Sequence, residues 1–507
     1  PAKQATLFAR QKQRANNARH KGNGMTWIKA TFIGMILLGI LVISAFFIWL
    51  APVGAGYTAK IMCSAIFVNG LPSNRALEED VLADNNPALS LITANVDLRH
   101  QTVSAHAFGF RKRIAVYRPN LGCTLSDDPA RIEQLRTTSP LLRPIPAQPL
   151  RTASVPGNID RRAFSTILAD AMDEPGTNAS RRSRAIVVLH RGKVIAERYA
   201  PGITASTPLP GWSMTKSVFN ALLGRMQQEH MISGVDGPVL INEWQSQLND
   251  PRSVITYDQL LHMSSGLAFD ESYWNPLSDV VQMLFVEPAA AGFAVARPLE
   301  HRPGTVFAYN SGATNILSAA MRNISGSSQS YQRIPFDLLF RPLGIGNAVI
   351  ETDQDGYFIG SSFMHATARD WAKIGQLFLQ DGVWNDERLL PAGWVDYSVT
   401  PAPAAPNGIY GAHWWLELPG ARDSDGNLLD DGPPVPDDAF FALGHDGQSI
   451  SIIPSKELVI VRLGLTRDRN AFDLRRFVGS IAALFPDIVA RNGDTTVEVE
   501  SARQVAE

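Results

Sequence analysis

The sequence predicts an α+β fold: an antiparallel sheet flanked by helices and joined to a mainly helical subdomain, preceded by one transmembrane helix and a small α/β module. Three observations predict it. A charge-free apolar run, Ala30 to Val53, follows a strongly basic stretch. Hairpin patterns beside helical patterns stand at both ends of the long C-terminal part, in RAIVVLHRGKVIAERYA and in FFALGHDGQSISIIPSKELVIVRLG. Between them, from 211 to about 430, helix and loop signals dominate.

The N-terminal elements come first. Lys3, Arg10, Lys12, Arg14, Arg19, Lys21 and Lys29 precede any acidic residue, so 1–29 reads as a basic cytoplasmic tail. As a helix the run 30–53 would be about 36 Å long, enough to cross a hydrocarbon core of about 30 Å with some tilt. Trp27 and Trp49 stand near its ends, where interfacial aromatics belong. A cleaved signal peptide would carry a shorter apolar region, about 7–15 residues. The expectation is a single-pass anchor in a bacterial inner membrane, with everything beyond it periplasmic or extracellular.

Residues 54–125 read as a small α/β module. TVSAHAFGFRKRIAVYRP is two strands around a turn at Gly109. The only two cysteines, Cys63 and Cys123, lie beyond the anchor and are expected to pair in an oxidising exterior. Closing a loop of that size restricts the unfolded chain by roughly 4 kcal/mol in the loop-entropy account. Proline-rich 126–157 reads as an extended linker. The main domain is expected over 158–490. It opens with Asp160 as N-cap of a helix whose Phe164, Ile167, Leu168, Ala171 and Met172 share a face. A hairpin turning at Arg191-Gly192 follows, and LRRFVGSIAALFPDIV closes the domain as a helix. Both ends are expected to contribute to one antiparallel sheet. A polar tail, 491–507, ends the chain.

Composition bounds the function. Of 507 residues, 45% are hydrophobic and 19% charged, which suits a large core. Basic and acidic side chains number 46 and 48, a net charge of -2. Such a balance argues against nucleic acid as a partner. No residue cluster has metal-ligand spacing, no glycine loop is built for phosphate, and no cofactor is expected.

Chemistry concentrates in Ser213-Met214-Thr215-Lys216, the one Ser-x-x-Lys in the chain. At a helix start, positions three apart share a face, so hydroxyl and ammonium can meet. Serine needs a neighbouring base, and lysine serves only if burial lowers its pKa. VFNALLG, just beyond, supplies the apolar burial. A plain N-cap serine with a solvated lysine would read the same locally. Two more stretches join it: HRPGTVFAYNSGATNILSAAM, which puts Tyr309 after a short strand and before a helix, and Gly444-His445-Asp446-Gly447-Gln448 ahead of an apolar strand.

In this order the three stretches resemble the serine β-lactamase and penicillin-binding-protein superfamily, whose signature is Ser-x-x-Lys, a Tyr-x-Asn element and Lys-Thr-Gly or a His-x-Gly variant. ITYDQLLHMSSGLAFDESYW, PGTVFAY and GHDGQSISIIPSKELVIV look like its class C-related branch, nearest the 6-aminohexanoate-dimer hydrolases and their esterase relatives. The resemblance spans about 158–490 and implies a β-lactamase/transpeptidase-like fold. It implies Ser213 as the acylated nucleophile, Lys216 as base, Tyr309 as proton relay, and an oxyanion hole from the backbone N–H groups of Ser213 and Gln448. Whether lysine or tyrosine takes the first proton stays open.

The departures bear on substrate. Ser311 stands where β-lactamases have asparagine, and His445-Asp446-Gly447 replaces Lys-Thr-Gly. Histidine is mostly neutral at pH 7 and Asp446 adds negative charge if it faces the site, so a substrate carboxylate should be held weakly. An ester or linear amide is therefore expected, with a DD-peptidase or β-lactamase as one alternative and a non-catalytic penicillin-binding-like sensor as another. Tyr273, Trp212, Trp414, His445 and Gly447 are the candidate substrate contacts.

Overall fold

The computed structural model describes residues 46–83, 86–137, 142–146, 148–174, 181–418 and 432–488, with short pieces at 7–10, 12–13, 31–39 and 44. Most of the basic tail, part of the apolar run and the whole polar tail lie outside the described residues.

Residues 31–39 are helical and largely exposed. Helix α1, Ala51–Cys63, continues the apolar run into the protein, with Pro at its start and Ala51, Ala55 and Ala59 fully buried. The helix from Phe47 to Val68 is long and apolar enough to cross a bilayer, yet most of it is covered by protein. Burial inside the fold begins at Ala51, before the expected anchor boundary at Val53. Alanine and glycine line α1 because it packs closely on a four-stranded antiparallel sheet in the order β1-β2-β3-β4, made of β1 (Ile92–Asp97), β2 (Thr102–Ala107), β3 (Phe110–Arg118) and β4 (Gly122–Ser126). Gly109 has φ +83° in the β2–β3 turn, a conformation glycine takes at no steric cost. Cys63 and Cys123 are joined in a disulfide, with Cα atoms 6.0 Å apart.

The segment expected to be a linker is not loose where it is described. Pro129–Thr137 is a helix. Leu142, Ile145 and Leu150 pack against the main core. Val194 N–H donates to the Arg151 carbonyl (2.8 Å) and Ala153 N–H donates to the Val194 carbonyl (2.9 Å), so the chain runs along the main sheet's edge. Proline spacing showed that the segment is extended; its leucines and isoleucine make it adhere.

The main domain opens with α2 (Arg161–Met172), capped by Asp160, whose carboxylate accepts from the N–H groups of Arg162 (2.9 Å) and Ala163 (3.0 Å). The hairpin β5 (Ser183–His190) and β6 (Lys193–Tyr199) follows. Three longer helices follow: α3 (Met214–Gln228), α4 (Ser311–Ser325) and α5 (Ala368–Leu379). The chain then returns to the sheet as β7 (Phe440–Gly444), β8 (Gln448–Ile453) and β9 (Leu458–Gly464), and closes with α6 (Leu474–Ala482). The five strands lie in the order β7-β8-β9-β5-β6, all neighbours antiparallel. The first and last parts of the domain thus meet at β9–β5. On β5, Ile186 and Val188 pack with α2 and α6, while Ala185, Val187 and Leu189 face the larger core. Period-two alternation sends both sets inward because helices cover both faces.

The small module is ion-paired into this body. Lys60 of α1 and Glu351, both fully buried, form a salt bridge. Glu351 also accepts from the Ser64 hydroxyl (2.8 Å) and the Cys123 N–H (2.7 Å). Burial opposes the Glu351 charge, but Lys60 and His365 outweigh it and hold its carboxyl down at about 2. Removing one partner of a buried pair leaves the other charge uncompensated, at a cost of about 3–5 kcal/mol. Lys60→Met is therefore expected to lower the guanidinium unfolding midpoint sharply, and a midpoint unchanged from the parent would remove Lys60–Glu351 as a tie between module and body.

Candidate active site

Ser213 sits at the mouth of α3, delivered by a short strand. Leu209–Pro210 pairs with Met364–Ala366, and the Gly211 N–H donates to the Met364 carbonyl (2.9 Å). Trp212 then takes φ +49°, a left-handed conformation that costs a bulky residue about 1–3 kcal/mol. Its ring is held against Phe363 (5.7 Å) and His445 (5.2 Å). Strain of this kind, stored next to one partly exposed hydroxyl, fixes where that hydroxyl points. Ser213 occupies the N-cap position but makes no capping hydrogen bond. Its oxygen lies instead 3.0 Å from Lys216 Nζ.

Lys216 lies on the buried face of α3. Besides Ser213, its Nζ meets the Ser311 hydroxyl (3.1 Å) and the Ser361 carbonyl (3.0 Å). Burial pulls the amine down to about 8, against the opposing pull of Glu271. Tyr309 completes the group. Its ring centroid is 5.0 Å from Lys216 Nζ. Burial and the Glu271 charge push that phenol well above its ordinary value. Residues 306–310 are irregular rather than the short strand expected around Phe307 and Tyr309. The Tyr309 ring is held by Tyr410 (5.8 Å) and Trp415 (5.3 Å) instead of by a ladder. The N-cap Asn310, whose side chain accepts from the Ala313 N–H, then starts α4.

The third stretch abuts the first. A Cβ on Gly444 would stand 2.1 Å from the Gly211 carbonyl oxygen, so only glycine permits this approach. Gly444 pairs with Gln448 across the turn, which brings the start of β8 beside the Ser213 loop. The Gln448 side chain is spent on backbone: its amide donates to the Gly464 carbonyl (2.7 Å) and accepts from the Gly464 N–H (2.9 Å). Gly447 has φ +78°, and a Cβ there would meet the Arg462 guanidinium at 2.5 Å. Asp446 does not face the cleft as a free charge; it pairs with Arg467 (3.1 Å). Arg467 in turn donates to Tyr57 of α1 (3.2 Å), so the small module supports this turn from behind. His445 lies between Trp212 and Tyr273, stacked on the latter at 4.7 Å.

One expected substrate contact is corrected. Trp414 is fully buried between Phe378 (4.4 Å) and Phe440 (5.3 Å). Its neighbour Trp415 bridges to Phe441 and presents its ring to Tyr309. Adjacent side chains on extended backbone point to opposite sides, and the sequence Trp-Trp does not say which one faces in.

Glu271 and Ser311 have contacts that sequence reasoning did not assign. The Ser311 hydroxyl donates to Glu271 Oε1 (2.6 Å) and its N–H to Oε2 (2.7 Å). Burial pushes the Glu271 carboxyl up, with Lys216 pulling it back. The available signal was weak: an acid two residues before Tyr273, in a loop already read as pocket-lining.

A family model described as Beta-lactamase matches residues 167–482. A 6-aminohexanoate-dimer hydrolase of Paenarthrobacter ureafaciens is 25% identical over 389 residues, covering 71% of this chain and 89% of its own. Among solved structures, a penicillin binding protein from Bacillus halodurans aligns with TM-score 0.46 and 15% identity over 64% of this chain and all of its own. A family VIII carboxylesterase aligns with TM-score 0.46 and 13% identity over 66% of this chain and 99% of its own.

Proposed function

The chain belongs to the beta-lactamase family and is a hydrolase of that fold, and from that premise we propose that it is a membrane-anchored enzyme cleaving an ester or linear amide through an acyl-enzyme on Ser213. The observation that carries this is the 3.0 Å contact between a partly exposed serine hydroxyl and a buried lysine amine whose pKa is lowered. Ser213 attacks the carbonyl carbon while neutral Lys216 takes its proton. Backbone N–H groups of Ser213 and Gln448 receive the oxyanion. Tyr309, kept protonated by its raised pKa, passes its proton to the leaving group as protonated Lys216 returns the serine proton to the phenol. Water then gives a proton to the neutral amine as it attacks the acyl group, and that proton goes back to the Ser213 oxygen as the acid leaves. Lysine is thus the first base.

Proton order around Lys216 supports this assignment. A carboxylate only accepts, so the Ser311 O–H is committed to Glu271 and a Ser311 lone pair faces Lys216. The Ser361 carbonyl also only accepts. A neutral amine with two N–H groups satisfies both and turns its lone pair to Ser213. Glu271 is a positioning residue here, acting through Ser311.

Two results follow for pH. The rate should rise with pH through about 8, because below that value Lys216 carries a proton and cannot act as base. In Glu271→Gln the stabilising negative charge is gone, so the Lys216 pKa falls and the acidic limb of kcat/KM moves to lower pH, with a reduced plateau. A limb that stays in place would show that Glu271 does not act on the lysine.

The substrate reading is supported by how the side chains at the third stretch are paired. Asp446 and Arg467 neutralise each other, and His445 is held by two aromatic rings, so neither a free lysine nor a free arginine stands there among the described residues. The relative's name specifies a 6-aminohexanoate dimer. A screen of short-chain esters, linear amides, D-Ala-D-Ala peptides and β-lactams is the test. Turnover of esters or linear amides with negligible β-lactam cleavage is expected; turnover confined to β-lactams or D-Ala-D-Ala peptides would replace this reading by its rival.

A further inference from the structure

The β2–β3 hairpin of the small module ends in an apolar tip that the fold does not use. Phe108 and Phe110 are 62% and 66% exposed. Phe108 (φ +49°) and Gly109 (φ +83°) form a tight turn, and the Gly109 N–H donates to His106 Nδ1 (2.9 Å), so the tip is rigid. The strand register puts Ile92 opposite Ala107 and Ala107 opposite Phe110, which brings exposed Leu91 to the same end of the sheet. That end is also where the apolar run enters the fold. The Phe47 ring meets Phe108 at 6.2 Å and Phe110 at 5.7 Å, and Arg111 Nε donates to the Phe47 carbonyl (3.0 Å). The next residues of the run, Ile48, Trp49 and Leu50, are exposed as well. Arg111 and Lys112 stand exposed just behind the two phenylalanines.

We propose that this end of the sheet is a second membrane contact. Phe108, Phe110 and Leu91 enter the acyl boundary beside the anchor, and Arg111 and Lys112 meet anionic headgroups. The proposal rests on the reading of the apolar run as an anchor, and continuity of the two apolar surfaces at Phe47 is what selects lipid as the occupant. Aromatic side chains with basic neighbours suit the interface, where an apolar ring can be buried while a charge stays hydrated. A helix alone leaves the catalytic body free to swivel. A second contact, rigidly tied to α1 and through Lys60–Glu351 to the main domain, sets the height and orientation of the Ser213 cleft above the bilayer.

The test uses the full chain reconstituted in phosphatidylcholine vesicles, with and without phosphatidylglycerol. The photoreactive analogue benzoylphenylalanine is placed singly at 36, 98, 108 or 110, and cross-linking to lipid is read by mass spectrometry. Position 36 lies in the apolar run, and exposed Leu98 stands at the opposite end of the sheet, after β1. Cross-linking at 36, 108 and 110, on the order of tenfold above that at 98, is expected for tips seated in the interface. Yields at 108 and 110 should rise with phosphatidylglycerol, and equal yields would overturn the role given to Arg111 and Lys112. Labelling at 36 but not at 108 or 110 overturns the second contact and leaves the anchor standing. No labelling at 36 removes the anchor and this proposal together. Ester turnover in detergent should be unchanged in all four variants, because none of these positions touches the cleft.

Discussion

Ser213→Ala is expected to lower kcat/KM for p-nitrophenyl butyrate by about 10⁴–10⁶-fold, the range seen when a nucleophile is removed from a site whose other groups remain. The fold should survive. The hydroxyl is partly exposed and makes no helix-capping bond, so its removal leaves no capping donor unpaired. Lys216 keeps the Ser311 hydroxyl and the Ser361 carbonyl as partners. An unchanged melting temperature with lost turnover, together with loss of fluorophosphonate labelling, is the expected pair of results. Turnover within tenfold of the parent would end the assignment of Ser213 as nucleophile.

Lys216→Ala is the second large effect. Removing a general base costs about 10²–10⁴-fold, and here the same side chain also fills fully buried space. Lys216→Met separates the two contributions, since methionine fills most of the volume without supplying a base. Both variants should lose activity at every pH, and neither should retain the rise through about 8 assigned to the amine. A methionine variant with a rate within tenfold of the parent would shift the base role to Tyr309. That outcome is disfavoured by the phenol itself, whose burial beside Glu271 makes its anion costly.

Much of the fold was legible because its signals are local. Hairpins at Gly109 and Arg191-Gly192 follow from turn chemistry, and the Asp160 cap follows from its place before an amphipathic stretch. The pairing of first and last strands in one sheet follows from where the apolar alternation lies along the chain. Local signals also misled. The proline-rich segment looked like a spacer until its apolar residues were seen to dock. The apolar run looked like one object, although its last residues already belong to a packed helix whose alanines fit a sheet better than lipid.

At the site, the Ser-x-x-Lys spacing is enough to put a hydroxyl and an amine on one helical face, because 3.6 residues per turn leaves no alternative once the helix forms. The family resemblance carried by the three stretches together then singled out Tyr309 and the Gly444–Gln448 turn. Tertiary structure alone decided what stands around the amine. Ser311 and Ser361 lie 95 and 145 residues from Lys216 in the chain, and the carboxylate that orients Ser311 sits on a different loop again. It also decided that Trp415 and not Trp414 faces the phenol, and that a buried lysine from the N-terminal helix is matched by an acid 291 residues away. Sequence spacing specifies contacts only within an element, where backbone geometry is fixed. Between elements, distance along the chain carries no information about distance in space, and the partners that tune a buried charge are chosen by packing.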